Sequence, residues 1–310
     1  MPLFLKQEDK LPFTGDYRQL IQNEDIKTAA AAFTSHQLQQ PAVNVLYVAQ
    51  REMATVNPMS DAVQILGSDD ATTCHIAVVR HIATRVTTLS HLDGSRVADC
   101  VAKMVESCGD EAERILGGTD RKFDVFLVGG FDDERHTSVG LSNETLRALQ
   151  SQPHHLILNL ACITGLNDRM DGRYHKPIVY GIGVDIQTGD IFPASFTDKG
   201  PDEALRSARI FSNNEETMSI YNPSTCEITI PPFDYTDFPG GDTWLHLPDS
   251  VILQNLSTSP HAEPPHFVSS VKATIRYMGK HPRPRETIFL NRPRRYRRSP
   301  HTNEWTLQEG

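Results

Sequence analysis

The sequence predicts an α+β fold in which largely antiparallel strands are segregated from flanking helices, and three observations carry that prediction. Four strand-like runs crowd residues 44–91. Apolar residues at helical spacing begin only beyond them, at Val97. No internal repeat, long linker or low-complexity tract divides the 310 residues, so a single α+β unit is expected. Residues 1–40 read as an N-terminal lead-in, 41–281 as the main domain, and 282–310 as an arginine-rich C-terminal segment packed on the same unit.

In the lead-in, the alanine-rich stretch 25–33 is the better of two short helix candidates. The four strand candidates at 44–48, 63–66, 74–79 and 85–91 are rich in Val, Ile and Leu and are expected to pair antiparallel. Val97, Val101, Met104, Val105 and Cys108 then form one helical face ending near Gly109, with Cys100 beside it; both cysteines read as core. A strand at 123–128, a helix opening near Ser142 and a strand at 156–160 follow. Gln187-Thr188-Gly189-Asp190 reads as a hairpin turn, and a second hairpin is expected between Ser219 and Phe233. Short helices are expected from Asp202 and, with Phe267, Val268, Val271, Ile275 and Met278 on one face, from Glu263.

Composition narrows the function classes. The N-terminus has no basic flank before an apolar run, and no stretch reaches the roughly 18 apolar residues of a membrane span. The five cysteines are odd in number and form no Cys-x-x-Cys pair, which fits a reducing cytosol or nucleus rather than a disulfide framework or zinc cage. The net charge of −9 conceals +4 on residues 283–310 and −13 on the rest, and an acidic body argues against broad nucleic-acid binding. Arg292-Pro293-Arg294-Arg295-Tyr296-Arg297-Arg298 is the one nucleic-acid candidate, with Tyr296 as a stacking residue. Gly181-Ile182-Gly183 lacks the third glycine and following helix of a dinucleotide site. His154, His155, His246, His261 and His266 lack metal-ligand spacing and read as structural or exposed. Asn167-Asp168-Arg169 reads either as support for a site or as a loop ion pair.

The chemistry concentrates on Cys74. A four-residue hairpin loop centred between Ile82 and Ala83 places Cys74 directly opposite His91, on one face of the sheet. An isolated thiol is only a few per cent thiolate at neutral pH, so a nucleophilic cysteine needs such a base. His75 would project to the opposite face. Ser68, at the end of the preceding strand, is the local hydroxyl for orienting the imidazole, with Asp69, Asp70 and Asp93 as rivals.

The run Leu66-Gly67-Ser68-Asp69-Asp70-Ala71-Thr72-Thr73-Cys74-His75-Ile76 resembles the eukaryotic protein N-terminal asparagine amidohydrolase family. So do Tyr180-Gly181-Ile182, Ala194-Ser195-Phe196-Thr197-Asp198-Lys199-Gly200-Pro201 and the segment 255–268, within a resemblance that runs from about residue 44 to residue 281. The wider group resembles the cytotoxic necrotizing factor and chemoreceptor deamidases, which implies an α/β/β sandwich carrying Cys74, His91 and Ser68 as its catalytic set. Chemoreceptor deamidases place a hydroxyl residue six before the cysteine and a histidine seventeen after it, offsets that Ser68 and His91 match.

The activity this implies is deamidation of a protein's N-terminal asparagine to aspartate with release of ammonia, feeding arginylation and degradation through the N-degron pathway. Cys74 would attack the carboxamide, with backbone N–H groups around Thr73 and Cys74 as oxyanion donors and no cofactor or metal. A carboxylate must bind the substrate's ammonium, and Asp69, Asp70 and Glu263 are the candidates. The expected partners are proteins or peptides with a free N-terminal asparagine, not membrane or nucleic acid, and the chain is expected to act as a monomer. A glutamine deamidase or cysteine protease would use the same pair, and a non-catalytic nucleic-acid module would use the arginine-rich tail instead.

Overall fold

This computed structural model describes residues 3–6, 11–59, 61–118, 121–212, 214–236, 238–299 and 302–308. Met1, Pro2 and residues 7–10, part of the N-terminus read above, lie outside the described residues. The chain begins with β1 (Leu3–Leu5), α1 (Tyr17–Leu20), α2 (Glu24–Thr34), β2 (Val45–Tyr47), β3 (Glu52–Val56), β4 (Ile65–Ser68), β5 (His75–His81) and β6 (Thr87–Leu92). It continues through α3 (Val97–Leu116), β7 (Lys122–Gly129), α4 (Thr137–Gln150) and β8 (His155–Ile163). A seven-stranded sheet has the order β1-β8-β7-β5-β6-β3, with the short strand Met218–Ser219 beyond β3. The second sheet sets Ile191–Pro193 and Ile182–Asp185 beside β4 and β2.

Period-two alternation along β5 sorts its side chains between two cores. Ile76 and Val78 pack with Leu46, Leu66, Ile182 and Val184 of the second sheet. Ala77 and Val79 join Val97, Val101, Met104 and Cys108 of α3. Helices, large sheet and second sheet therefore form three layers, the α/β/β arrangement of an α+β fold in which most strand pairs are antiparallel. Each fully buried Leu, Ile or Val contributes roughly 1.5–3 kcal/mol to holding these layers together. No helix among the described residues is long and apolar enough to cross a membrane.

Several expectations need correction. β2 and β4 do not join β5 and β6; they pair parallel to each other in the second sheet. β3 takes the place beside β6 that the pattern left unassigned, because its buried Glu52 and Thr55 hid its strand character. β1 lies in the lead-in and pairs parallel with β8. α3 runs through Gly109 to Leu116 and stops at Gly117, whose φ of +65° suits a glycine. Gly109 serves packing instead, since a Cβ there would come 3.0 Å from Arg121 Nη1. α4 starts at Thr137 rather than near Ser142, with the Asp133 carboxylate accepting from the N–H groups of Thr137 (2.9 Å) and Ser138 (2.8 Å).

Most remaining element predictions hold, though the helix expected to open at Glu263 begins at Phe267. The 187–190 turn joins Ile182–Asp185 to Ile191–Pro193, and Tyr221–Asn222 pairs with Glu227–Ile230. Gly181-Ile182-Gly183 thus enters an antiparallel strand, not a strand-to-helix turn. The arginine run forms the strand Arg294–Arg298 against Glu227–Ile230, and Tyr296 is buried with its hydroxyl on Asp202, which removes it as a stacking residue.

Candidate active site

Cys74 stands immediately before β5, at the end of a tight segment. Asp70 adopts a left-handed φ of +58°, and the Ala71 N–H donates to Tyr180 O at 2.9 Å, so the chain is turned and tied before it reaches the thiol. Gly181 allows this approach, because a Cβ there would meet Asp69 Cβ at 2.4 Å.

The β5–β6 register differs from the predicted one by two residues. Ile76, not Cys74, is the Cα partner of His91. The loop occupies residues 82–85, closed by His81 N–H to Val86 O (2.8 Å), and Arg85 absorbs the turn with a φ of +63°. A slip of two preserves the face, so Cys74 and His91 remain on one side as diagonal neighbours. Both line one cleft of about 450 Å³. His75 points the other way, as its parity required, with Nε2 2.8 Å from Ser142 Oγ.

Ser68, fully buried at the end of β4, places its Oγ 2.9 Å from His91 Nδ1. Among the described residues, His91 Nε2 is buried without a hydrogen-bond partner. The rivals for the orienting role are engaged elsewhere: Asp93 accepts from Arg51 Nε (2.5 Å) and Gln50 Nε2 (2.9 Å). Burial pulls His91 down to about 4, while burial and then the Asp93 and Glu263 carboxylates push the Cys74 thiol up. Both shifts favour the neutral forms, imidazole and thiol.

His75 is also drawn down to about 4, chiefly by burial. An unfolded histidine titrates near 6.5, so between about pH 6.5 and pH 4 the unfolded chain binds protons that the native state refuses. The stability these two histidines supply is complete above pH 6.5 and is lost as pH falls toward 4, by about 3 kcal/mol each at most. Urea melts across this window should show the decline, and a His75→Gln variant should lose about half of its slope. That comparison separates the histidine from Asp69 and Glu263, which burial shifts upward.

The three candidate ammonium-binding carboxylates occupy different positions. Asp69 is buried and accepts from Tyr47 Oη (2.8 Å) and Phe196 N–H (2.7 Å). Asp70 holds Lys199 Nζ at 2.5 Å and His266 Nε2 at 2.9 Å; burial alone would raise it, yet the Lys199 ammonium, with the His266 contact, holds it below the usual range. Glu263 accepts only from hydroxyls, Ser257 Oγ at 2.6 Å and Thr72 Oγ1 at 2.9 Å, and has no ion-pair partner among the described residues. Burial pushes its carboxyl up.

Tyr47, Lys199, Thr258 and His266 also line the cleft, and none was singled out for the site; His266 had been read as structural or exposed. The signal was present: Lys199 and the 255–268 segment belong to the very strings that carry the family resemblance, and folding brings those strings together around Cys74.

The protein N-terminal asparagine amidohydrolase family matches residues 35–307. The chain belongs to this family. It is 43% identical over 245 residues to the protein N-terminal asparagine amidohydrolase of Homo sapiens, covering 79% of this chain and 78% of that one. The Arabidopsis thaliana protein of the same name is 30% identical over 280 residues, covering 82% of this chain and 78% of its own length. The family match reaches into the arginine-rich segment, whose strands pair with the body of the protein.

Proposed function

We propose that this chain converts the N-terminal asparagine of proteins and peptides to aspartate, with Cys74 as nucleophile. The observation that carries the mechanism is the His91 ring, held by Ser68 at Nδ1 and, among the described residues, unpartnered at Nε2 on the cleft wall it shares with Cys74. With Nδ1–H donated to Ser68, Nε2 carries the lone pair. As Sγ bonds to the carboxamide carbon, Nε2 takes the thiol proton and passes it to the departing nitrogen, which leaves as ammonia. Water then attacks the thioester with His91 as base, releasing aspartate and restoring the thiol. Neutral resting groups suit this proton-coupled attack, because no buried ion pair has to be maintained between turnovers.

Glu263 is our choice for the α-ammonium. Asp70 is already paired with the Lys199 ammonium and contacted by His266, and each oxygen of Asp69 accepts a hydrogen bond, whereas the half-buried Glu263 carboxylate lacks, among the described residues, the cation that an incoming N-terminus would supply. A Glu263→Gln variant should raise KM and lower kcat/KM by about ten- to a hundredfold, the worth of one charge-assisted contact, with a smaller change in kcat. The aspartate product would enter arginylation and the N-degron pathway. The reading places the chain in the cytosol or nucleus as a monomer, consistent with an odd number of cysteines and no Cys-x-x-Cys pair in the sequence.

Ammonia release from matched peptides headed by asparagine, glutamine and N-acetylasparagine tests the function. Turnover of the first alone is expected. Equal turnover of the acetylated peptide would remove ammonium capture, and preference for glutamine would reassign the substrate.

A further inference from the structure

A second cavity, of about 800 Å³, adjoins the cleft that holds Cys74. Asp69, Asp70, Lys199, Glu203, Glu263 and His266 line both, so they form a common wall. A protein substrate enters N-terminus first, and the chain behind its first residue has to leave the cleft across one of its walls. This wall offers an exit into further open space.

The far side of the wall has its own chemistry. The charged residues that line the second cavity but not the cleft are Arg169 and Lys176, joined by His36. Arg169 and Lys176 are directly opposed Cα partners in the hairpin formed by Asp168–Asp171 and Tyr174–Pro177. Opposed side chains in such a pair lie within about 5.5 Å, where like charges destabilise the hairpin unless an anion comes between them. Lys176 is compensated by Asp171 at 2.7 Å, and the same carboxylate lies within electrostatic reach of Arg169 without pairing to it. Arg169 is exposed and makes no hydrogen bond or ion pair among the described residues. Exposed Leu38 and Ile178 line the same space and give it apolar surface for the stems of longer side chains.

We infer that the second cavity is a subsite for the second to fourth residues of the substrate and selects acidic side chains there through Arg169 and Lys176. The inference rests on the reading of the Cys74 cleft given above. It assigns the Glu263 carboxylate, which has no ion-pair partner among the described residues, to the substrate's ammonium, and the Arg169 guanidinium on the far side of the second cavity to the chain behind it.

The test is the ratio of kcat/KM for two peptides headed by asparagine, one with glutamate and one with lysine at positions two to four. The intact protein should favour the glutamate peptide by about fivefold at low salt, as partly exposed ion pairs provide, and the ratio should shrink toward one in high salt. Arg169→Glu should reverse the preference and Arg169→Lys should keep it. A ratio is read within each enzyme, so a variant that folds poorly lowers both rates without imitating the result. Equal rates for the two peptides with the intact protein, or a ratio untouched by Arg169→Glu, would overturn the subsite. Failure to release ammonia from either peptide would instead strike at the reading of the cleft itself.

Discussion

Replacing Cys74 with alanine should reduce ammonia release from an asparagine-headed peptide by at least about a thousandfold while leaving the protein folded. The size of the effect follows from the mechanism. Without Sγ no thioester forms, and His91 is left to activate water against an unactivated amide. Its buried imidazole, drawn down to about 4, is a weak base for that purpose. Cys74→Ser should fare little better, since the same base must then deprotonate a hydroxyl. The fold should tolerate both changes, because Cys74 is only partly buried and packs at the edge of the larger core. Melting temperatures within about 3 °C of the parent are expected. Mass analysis of acid-quenched reactions supplies the second readout: a covalent adduct on the parent that is missing from the alanine variant. Substantial turnover by Cys74→Ala would end the thiol mechanism.

The largest stability effect should come from Glu52→Gln. Glu52 and Arg206 are both about 1% exposed and meet through two contacts, Nε to Oε1 at 3.0 Å and Nη2 to Oε2 at 2.6 Å. Arg206 also donates to Tyr47 O and Lys199 O, so this guanidinium ties β3, β2 and the loop bearing Lys199 to the helix Glu203–Ala208 along one side of the cleft. Removing the carboxylate charge strands a buried cation, which costs about 3–5 kcal/mol. Urea melts should show that loss, and KM should rise with it as Lys199 shifts. The double variant Glu52→Gln with Arg206→Met should recover part of the stability, because it removes the uncompensated charge. A loss below about 1 kcal/mol in the single variant would show that the site relaxes or hydrates.

Much of the fold was legible because its signals are local. The alternation along β5 and the stripe from Val97 to Cys108 name their own buried faces, and the structure buries those faces. What escaped were elements whose character depends on a partner. β3 carries Glu52 in a sequence that reads as polar, and only Arg206, 154 residues away, makes that position a strand interior. β2 and β4 look like neighbours of β5, yet hydrophobicity does not say in which sheet a strand lies.

The candidate site divides in the same way. Sequence alone determined that Cys74 and His91 share a face and that His75 does not, because side-chain parity in a strand survives a register shift of two. It also marked Ser68, Lys199 and Glu263 within strings of family resemblance. Only the tertiary structure decided that the turn closes on a left-handed Arg85, moving His91 from opposite Cys74 to a diagonal position. Only it decided that Asp70 is held by Lys199 and His266, 129 and 196 residues away, while Glu263 is left without an ion-pair partner among the described residues. Parity is a property of a few consecutive residues, whereas the pairing of charges depends on which distant segments the stacked layers bring within a few ångströms, and no local pattern encodes that distance.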